Sequence, residues 1–213
     1  MRPLLLALPL LVALASPAAA GDAAALRVIG FSPDGTIFAF EQYTTLYEDE
    51  AAFSEYVFID TRTDRYLPGT PIKVLLRDDD GNDEVKAREQ AAAKVQAFAL
   101  PDGRKARLTI SQRALGKADC DGAGGRGTKG KVAVAGLTLT LTLDGKPTVL
   151  QEDKKLPEAR RCVSAYGIAE AYLHTAPDGA ITVAVMIEAV DNHDYHAGPN
   201  RRFMAVTRRL APK

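Results

Sequence analysis

Residues 137–143 read LTLTLTL, and this alternation decides the fold class. Leucine and threonine take turns, so an extended strand places four leucines on one face and three threonines on the other. Asp144-Gly145 follows directly and is the strongest two-residue signal for a β-hairpin, with residues 146–150 as the returning strand. The stretch therefore predicts an antiparallel sheet that turns one apolar face towards a core.

Strand signals recur along the rest of the chain. Residues 26–32 and 36–43 flank Pro33-Asp34-Gly35, which favours a tight turn, and together they predict a second hairpin. Pro-Asp-Gly occurs again at Pro101 and Pro177, at spacings that indicate three independent turns rather than a repeat. Further strands are expected at residues 54–60, 65–67, 106–113, 163–175, 180–190 and 202–210.

One segment, residues 82–99, has a helical pattern instead. It is rich in helix-forming residues and begins with acids that favour a helix N-terminus. Its apolar side chains recur at helical spacing, at Val85, Ala92, Val95 and Ala99. The predicted fold is mainly β, with antiparallel sheets in a sandwich or barrel-like arrangement and one amphipathic helix near residues 82–99.

The composition limits the classes of partner. The chain has 213 residues, with 27 Lys and Arg against 27 Asp and Glu, so its formal net charge is +0. A near-neutral chain lacks the long-range field that draws proteins onto nucleic acids or anionic membranes. With 46% hydrophobic and 25% charged residues, it has the composition of a globular protein. Nucleic acid is therefore not an expected partner.

The N-terminus has the three parts of an export signal. Met1-Arg2 is positively charged, residues 4–14 are apolar, and Ala18-Ala19-Ala20 supplies the small residues that signal peptidase accepts. An uncleaved anchor is the alternative, but the apolar segment spans only about 16 Å as a helix, half of a ~30 Å hydrocarbon core. We predict a signal peptide at residues 1–20, a single β-rich domain at 21–213, and a periplasmic or secreted protein with no membrane span after cleavage.

The two cysteines of the chain, Cys120 and Cys162, are predicted to form a disulfide bond. Two thiols exported to an oxidising space usually pair, and this bridge would hold one end of the glycine-rich segment 116–136. The chain-entropy model gives roughly 4 kcal/mol for a loop of this length. A redox-active pair is the alternative, although C-x-x-C spacing is absent from the sequence.

Metal-capable side chains are densest at residues 191–196, DNHDYH. The ligand set would be Asp191, His193, Asp194 and His196, suited to zinc or a similar divalent ion. If this site is real, the imidazole of His174 is expected within reach of His193 or His196. The alternative is a polar loop between two strands, because Gly198-Pro199 follows.

Several stretches resemble a bacterial family known as predicted secreted proteins of unknown function. The most specific are GFSPDG at residues 30–35 and FAFEQY at 38–43, and GPNRRF at 198–203 adds to them. The resemblance implies secretion and a β-rich domain, and it brings no catalytic residues. Residues 30–40 also resemble one hairpin of the propeller blades of periplasmic proteins.

Two hypotheses about function follow. Catalytic motifs such as G-x-S-x-G, H-E-x-x-H and the P-loop are absent from the sequence, so the first is a non-catalytic binding or interaction domain for an envelope protein or a small ligand. The second is a metal-dependent enzyme that uses the cluster at 191–196.

Overall fold

The computed structural model describes residues 22–46, 50–77, 83–95, 104–105, 109–111, 116–119, 131–134, 138–143, 146–152, 163–191 and 200–210. The strands before the helix are β1 (Ala25–Phe31), β2 (Ile37–Leu46), β3 (Ala51–Asp60), β4 (Arg65–Tyr66) and β5 (Ile72–Leu76). The helix is α1 (Glu84–Lys94). The later strands are β6 (Arg104–Lys105), β7 (Thr109–Ser111), β8 (Gly116–Asp119), β9 (Lys131–Val134), β10 (Thr138–Leu143), β11 (Lys146–Glu152), β12 (Val163–Thr175), β13 (Ile181–Asp191) and β14 (Asn200–Leu210).

These elements form antiparallel sheets, which confirms the predicted fold class. The first sheet has the order β1-β2-β3-β4, with β5 also paired to β3, and the central sheet has the order β14-β13-β12-β6. A third sheet, β11-β10-β7, and the separate hairpin of β8 and β9 complete the set. Within the described ranges the sheets pack face to face and none of them closes into a barrel. Of the two predicted arrangements, sandwich and barrel, the structure therefore has the sandwich.

Three apolar cores separate four layers. Phenylalanines of the first sheet, such as Phe38 and Phe40, pack against Met186 of the central sheet. On the other side of the central sheet, Leu139 and Leu141 face its valines and isoleucines. The third core lies between the first sheet and α1. The central strand β13 is therefore buried on both faces from Thr182 to Ile187, as its continuous apolar sequence requires.

The outer edge of β14 is closed by polar groups of other segments rather than by another strand. Four backbone N–H groups of β14 donate to acceptors in the chain before β1, in β2 and in the turn after β3. The bonds run from Arg201 to the Asp22 carbonyl, from Phe203 to Gln42 Oε1, from Thr207 to Asp64 Oδ1 and from Arg209 to the Thr61 carbonyl. Paired N–H groups protect this edge from association and join the first sheet to the central one.

Most strand expectations are confirmed, and the differences are local. Residues 163–175 form β12 as predicted. In the predicted hairpin, β10 buries Leu139 and Leu141 completely, and β11 follows after two residues and pairs with it. β5 was not expected, because the prolines at 68 and 71 obscured the apolar run that follows them. Within the glycine-rich segment, β8 and β9 form a short hairpin.

The helix exists, but the predicted apolar face is buried only in part. α1 begins after Asp83, whose carboxylate accepts a hydrogen bond from the Lys86 amide (3.0 Å), and it ends at Lys94. The buried side chains are Ala87 and Ala91, and Val95 packs against the same core as predicted. Val85 is 63% exposed and Ala92 is also exposed, whereas Ala99 lies outside the described residues. Alanines let the helix backbone approach the sheet closely, so packing rather than hydrophobicity selects the buried face.

Candidate functional site

A buried carboxylate lies between the first sheet and α1. Glu41 of β2 is fully buried, on the face of the sheet that also carries Ala39 and Tyr56 towards the helix. The strand register places Arg27 of β1 and Tyr56 of β3 directly opposite Glu41, so the three residues form one row across the sheet. Because a buried ionised carboxylate is costly without partners, this row requires the positive charges that flank it.

Two arginines and a serine bond this carboxylate. Arg27 Nε donates to Oε2 of Glu41 (2.6 Å), and Arg88 donates through Nε to Oε1 (3.0 Å) and through Nη2 to Oε2 (3.3 Å). The hydroxyl of Ser54 also donates to Oε1 (3.0 Å). We call Arg27, Glu41, Tyr43, Ser54, Tyr56 and Arg88 the Glu41 cluster.

Two tyrosines hold the guanidinium groups in place. Nη2 of Arg27 donates to the hydroxyl of Tyr56 (2.8 Å), and the guanidinium carbon of Arg88 lies 3.7 Å from the ring centre of Tyr43. An arginine stacked on an aromatic ring gains a cation–π attraction while its edges stay available for hydrogen bonds. Each arginine is therefore held by two contacts, one with Glu41 and one with a tyrosine.

The electrostatics of the cluster keep all three charges. Burial alone would raise the pKa of Glu41, but hydrogen bonds from Arg88 and Arg27 outweigh it, and the net pKa is lowered. The bonds to Glu41 raise the pKa of both arginines, and burial raises the pKa of Tyr56. Two positive charges thus share one negative charge. The side chains of Arg27 and Arg88 remain 50% and 32% exposed, so their charge reaches the surface. There the carboxylate of Glu84, one helical turn before Arg88, offsets part of the charge of Arg88.

A second polar junction joins two of the Pro-Asp-Gly turns. Arg209 of β14 donates through Nη1 to the carbonyl of Asp34 (2.5 Å) and through Nη2 to the carboxylate of Asp178 (2.6 Å). His174 at the end of β12 donates through Nε2 to the carbonyl of Pro33 (3.1 Å). The hairpin turn of the first sheet is thereby fixed to that of the central sheet.

Gly35 lies at the centre of this junction and leaves no room for a side chain. Its φ of +68° favours glycine, and its carbonyl accepts hydrogen bonds from Thr61 (2.7 Å) and Thr182 (3.0 Å). A Cβ at this position would lie 2.8 Å from Thr182 Oγ1 and 3.0 Å from His174 Cδ2. The close packing around Gly35 gives the GFSPDG stretch a structural role.

His174 and Asp191 lie at opposite ends of the β12–β13 pair. His174 pairs with Thr182, nine residues along β13 from Asp191, which is roughly 30 Å at 3.3 Å per residue. Its ring stacks on Phe31, with ring centres 5.5 Å apart. His193 and His196, beside which His174 is expected, lie outside the described residues, so that expectation stays a prediction.

The remaining predicted sites lie outside the described residues. These are His193, Asp194, His196, Cys120, Cys162 and the signal peptide, and only the backbone of Asp191 is described. Among the described side chains, no group of three or more His, Cys, Asp or Glu is arranged to hold a metal ion. The disulfide and the zinc site thus stay predictions.

The sequence alone does not single out Arg27, Glu41 or Arg88 as a cluster. A signal for the first two was present, because a hairpin turning at Pro33-Asp34-Gly35 places Arg27 opposite Glu41. A glutamate in an otherwise apolar strand, facing an arginine on the partner strand, indicates a buried ion pair. Arg88 carries no comparable signal, since its contact depends on where the helix packs.

Comparison with known proteins yields a family match. The model of a family described as predicted secreted protein (DUF2259) matches residues 94–209, more than half of the chain. This range contains Arg209 and His174, whereas the Glu41 cluster and the GFSPDG stretch lie before it. No curated protein and no solved structure matches the chain. The helix in the described ranges is too short and too polar to cross a membrane.

Proposed function

The chain belongs to this family of predicted secreted proteins, and we propose that it is a non-catalytic domain that binds an envelope protein or a small ligand at the Glu41 cluster. One observation carries the proposal: two partly exposed arginines share a single, fully buried carboxylate. The cluster therefore presents a positive charge to solvent, next to the ring of Tyr43. Arginine and tyrosine are among the residues enriched where proteins bind their partners.

The protonation state of Glu41 favours binding over catalysis at this site. A catalytic general acid or base works best when its pKa lies near the ambient pH, and enzymes raise the pKa of a carboxylate by burial to reach that range. Here the two arginines lower the pKa of Glu41. Glu41 therefore stays ionised and acts as a fixed charge that orders the arginines.

Ligand mapping by NMR tests the proposal. The exported ¹⁵N-labelled protein is titrated with a panel of anionic, neutral and cationic small molecules. We expect the bound compounds to shift resonances of Arg27, Glu41 and Arg88, and the variant Arg27→Gln to bind them more weakly. Arg208→Gln removes an exposed arginine of β14 and serves as the control with the same change of charge. Shifts confined to other surfaces, or equal binding by both variants, would contradict the proposal.

A metal-dependent enzyme is the second candidate, supported by the position of the 191–196 cluster. Asp191 ends β13 and pairs with Asn200, the first residue of β14. Residues 192–196 follow Asp191 in the sequence and lie outside the described residues; side chains this close in sequence can share one ion. Metal analysis of protein purified without a nickel tag distinguishes the candidates. Stoichiometric zinc that is lost in His193→Ala supports the enzyme, and protein without bound metal refutes it.

A further inference from the structure

We infer that the Glu41 cluster recognises an oxyanion, a carboxylate or phosphate group of its ligand, through Arg27 and Arg88. The inference rests on the proposed function and specifies the class of ligand.

Arg27 and Arg88 both have N–H donors that the cluster does not use. A guanidinium group has five N–H donors. Arg27 uses Nε towards Glu41 and Nη2 towards Tyr56, and Arg88 uses Nε and Nη2 towards Glu41. Within the described residues, Nη1 of each arginine makes no hydrogen bond. Both N–H bonds of Nη1 and the second N–H bond of Nη2 on each arginine are therefore available to a ligand without breaking the existing cluster.

The guanidinium groups of Arg27 and Arg88 lie close together. Arg27 Nε and Arg88 Nη2 both bond Oε2 of Glu41, at 2.6 and 3.3 Å, so these nitrogens lie within about 6 Å of each other. Two guanidinium groups this close repel each other, and the buried carboxylate of Glu41 offsets only part of their charge. Glu84 acts on Arg88, and no described carboxylate besides Glu41 bonds Arg27, so an oxyanion between the two arginines would lower their repulsion further.

The side chains of both arginines are held in fixed positions before any ligand binds. Arg27 is fixed by Glu41 and Tyr56, and Arg88 by Glu41 and the ring of Tyr43. A ligand therefore does not have to order two long side chains, which is a major cost of binding at flexible surface arginines. Charge-assisted bonds from arginine to carboxylate or phosphate are among the strongest hydrogen bonds in proteins.

The test is titration with the simplest oxyanions. Inorganic phosphate or acetate is added at constant ionic strength, with chloride as the balancing ion, and the Nε–Hε resonances of both arginines are followed. We expect saturable shifts in roughly the millimolar range for wild type. Arg27→Gln should weaken binding about tenfold or more, and Arg208→Gln should leave it unchanged.

Tyr56→Phe provides a second variant that keeps the shape of the side chain. It removes the hydroxyl that orients Arg27 and should weaken oxyanion binding a few-fold, while the Arg88 resonance stays in place as evidence of folding. The inference is wrong if wild type shows no saturable shift, or if Arg27→Gln binds as wild type does. If oxyanions fail but a neutral compound binds at the cluster, the proposed function stands and the ligand class is refuted. If nothing binds there, both are refuted.

Discussion

Gly35→Ala is the sharpest test of how the two turns are joined. The substitution has two separate costs. A left-handed φ is unfavourable for a residue with a Cβ by about 1–2 kcal/mol. The new methyl would also lie 2.8 Å from Thr182 Oγ1 and 3.0 Å from His174 Cδ2. Neither neighbour can move freely, because Thr182 is fully buried and bonded to the Gly35 carbonyl, and His174 stacks on Phe31. Overpacking of this kind costs about 1–3 kcal/mol, so we expect a total loss of roughly 2–5 kcal/mol.

Two other glycines separate these costs. Gly69 has a similar φ of +79°, but a Cβ there would meet nothing within 4 Å, so Gly69→Ala should lose only the backbone part, about 1–2 kcal/mol. Gly167 has no left-handed φ and its new Cβ would make an ordinary 3.5 Å contact with Glu188, so Gly167→Ala should be neutral or stabilising by up to about 1 kcal/mol.

Urea unfolding followed by circular dichroism measures the difference. With a denaturant slope near 2 kcal/mol per molar urea, Gly35→Ala should unfold at about 1 M less urea than Gly69→Ala. Equal midpoints for these two variants would refute the close packing around Gly35. A Gly167→Ala variant as unstable as Gly35→Ala would show that the loss has nothing to do with the junction.

Three further predictions concern charge and the disulfide. Glu41→Gln leaves two neighbouring guanidinium groups without their shared anion and should lower the unfolding free energy by roughly 2–4 kcal/mol in urea, whereas the exposed Glu89→Gln should change it by less than about 0.5 kcal/mol. Hydrogen bonds from Ser32 and Thr36 lower the pKa of Asp34 to about 2 from an ordinary value near 3.8. The ionised Asp34 therefore stabilises the fold fully above pH 4, and this contribution is lost as the pH falls towards 2. Asp34→Asn should lessen this acid dependence of the urea midpoint. Cys120 and Cys162 should resist maleimide labelling in denaturant until a reductant is added, and labelling of both without reductant would disprove the bridge.

The extent to which the sequence predicts this fold depends on how local each signal is. β10 and β12 follow from their own alternation and apolar content, because a strand with one or two buried faces shows that pattern directly. The hairpin at Pro33 follows from its turn residues. The buried face of α1 does not follow, since Ala87 and Ala91 are buried for their small size and Val85 lies outside the contact. Periodicity of hydrophobic residues carries no information about how closely a helix can approach.

The Glu41 cluster shows the same division between local and distant signals. In β2, Phe38 and Phe40 share one face and Glu41 lies on the other, a pattern typical of a strand with one face in water. The helix covers that face, and its alanines contribute little apolar area. An isolated helix of 11 residues is marginal, so its position depends on tertiary contacts such as that of Arg88 with Glu41.

This dependence constrains how the cluster can bind a ligand. An anion that displaced Glu41 from Arg88 would remove the anchor of α1 and expose the apolar face beneath it. Binding through the Nη1 groups avoids this conflict, because the bonds that hold the helix use Nε and Nη2. Arg88→Lys separates the two roles: a lysine keeps the charge but has a single ammonium, which cannot bond Glu41 and stack on Tyr43 as the guanidinium does. If Arg88 both anchors α1 and binds the ligand, Arg88→Lys should lower both the stability in urea and the affinity for phosphate. Arg27→Gln should affect phosphate binding more than it affects the packing of α1.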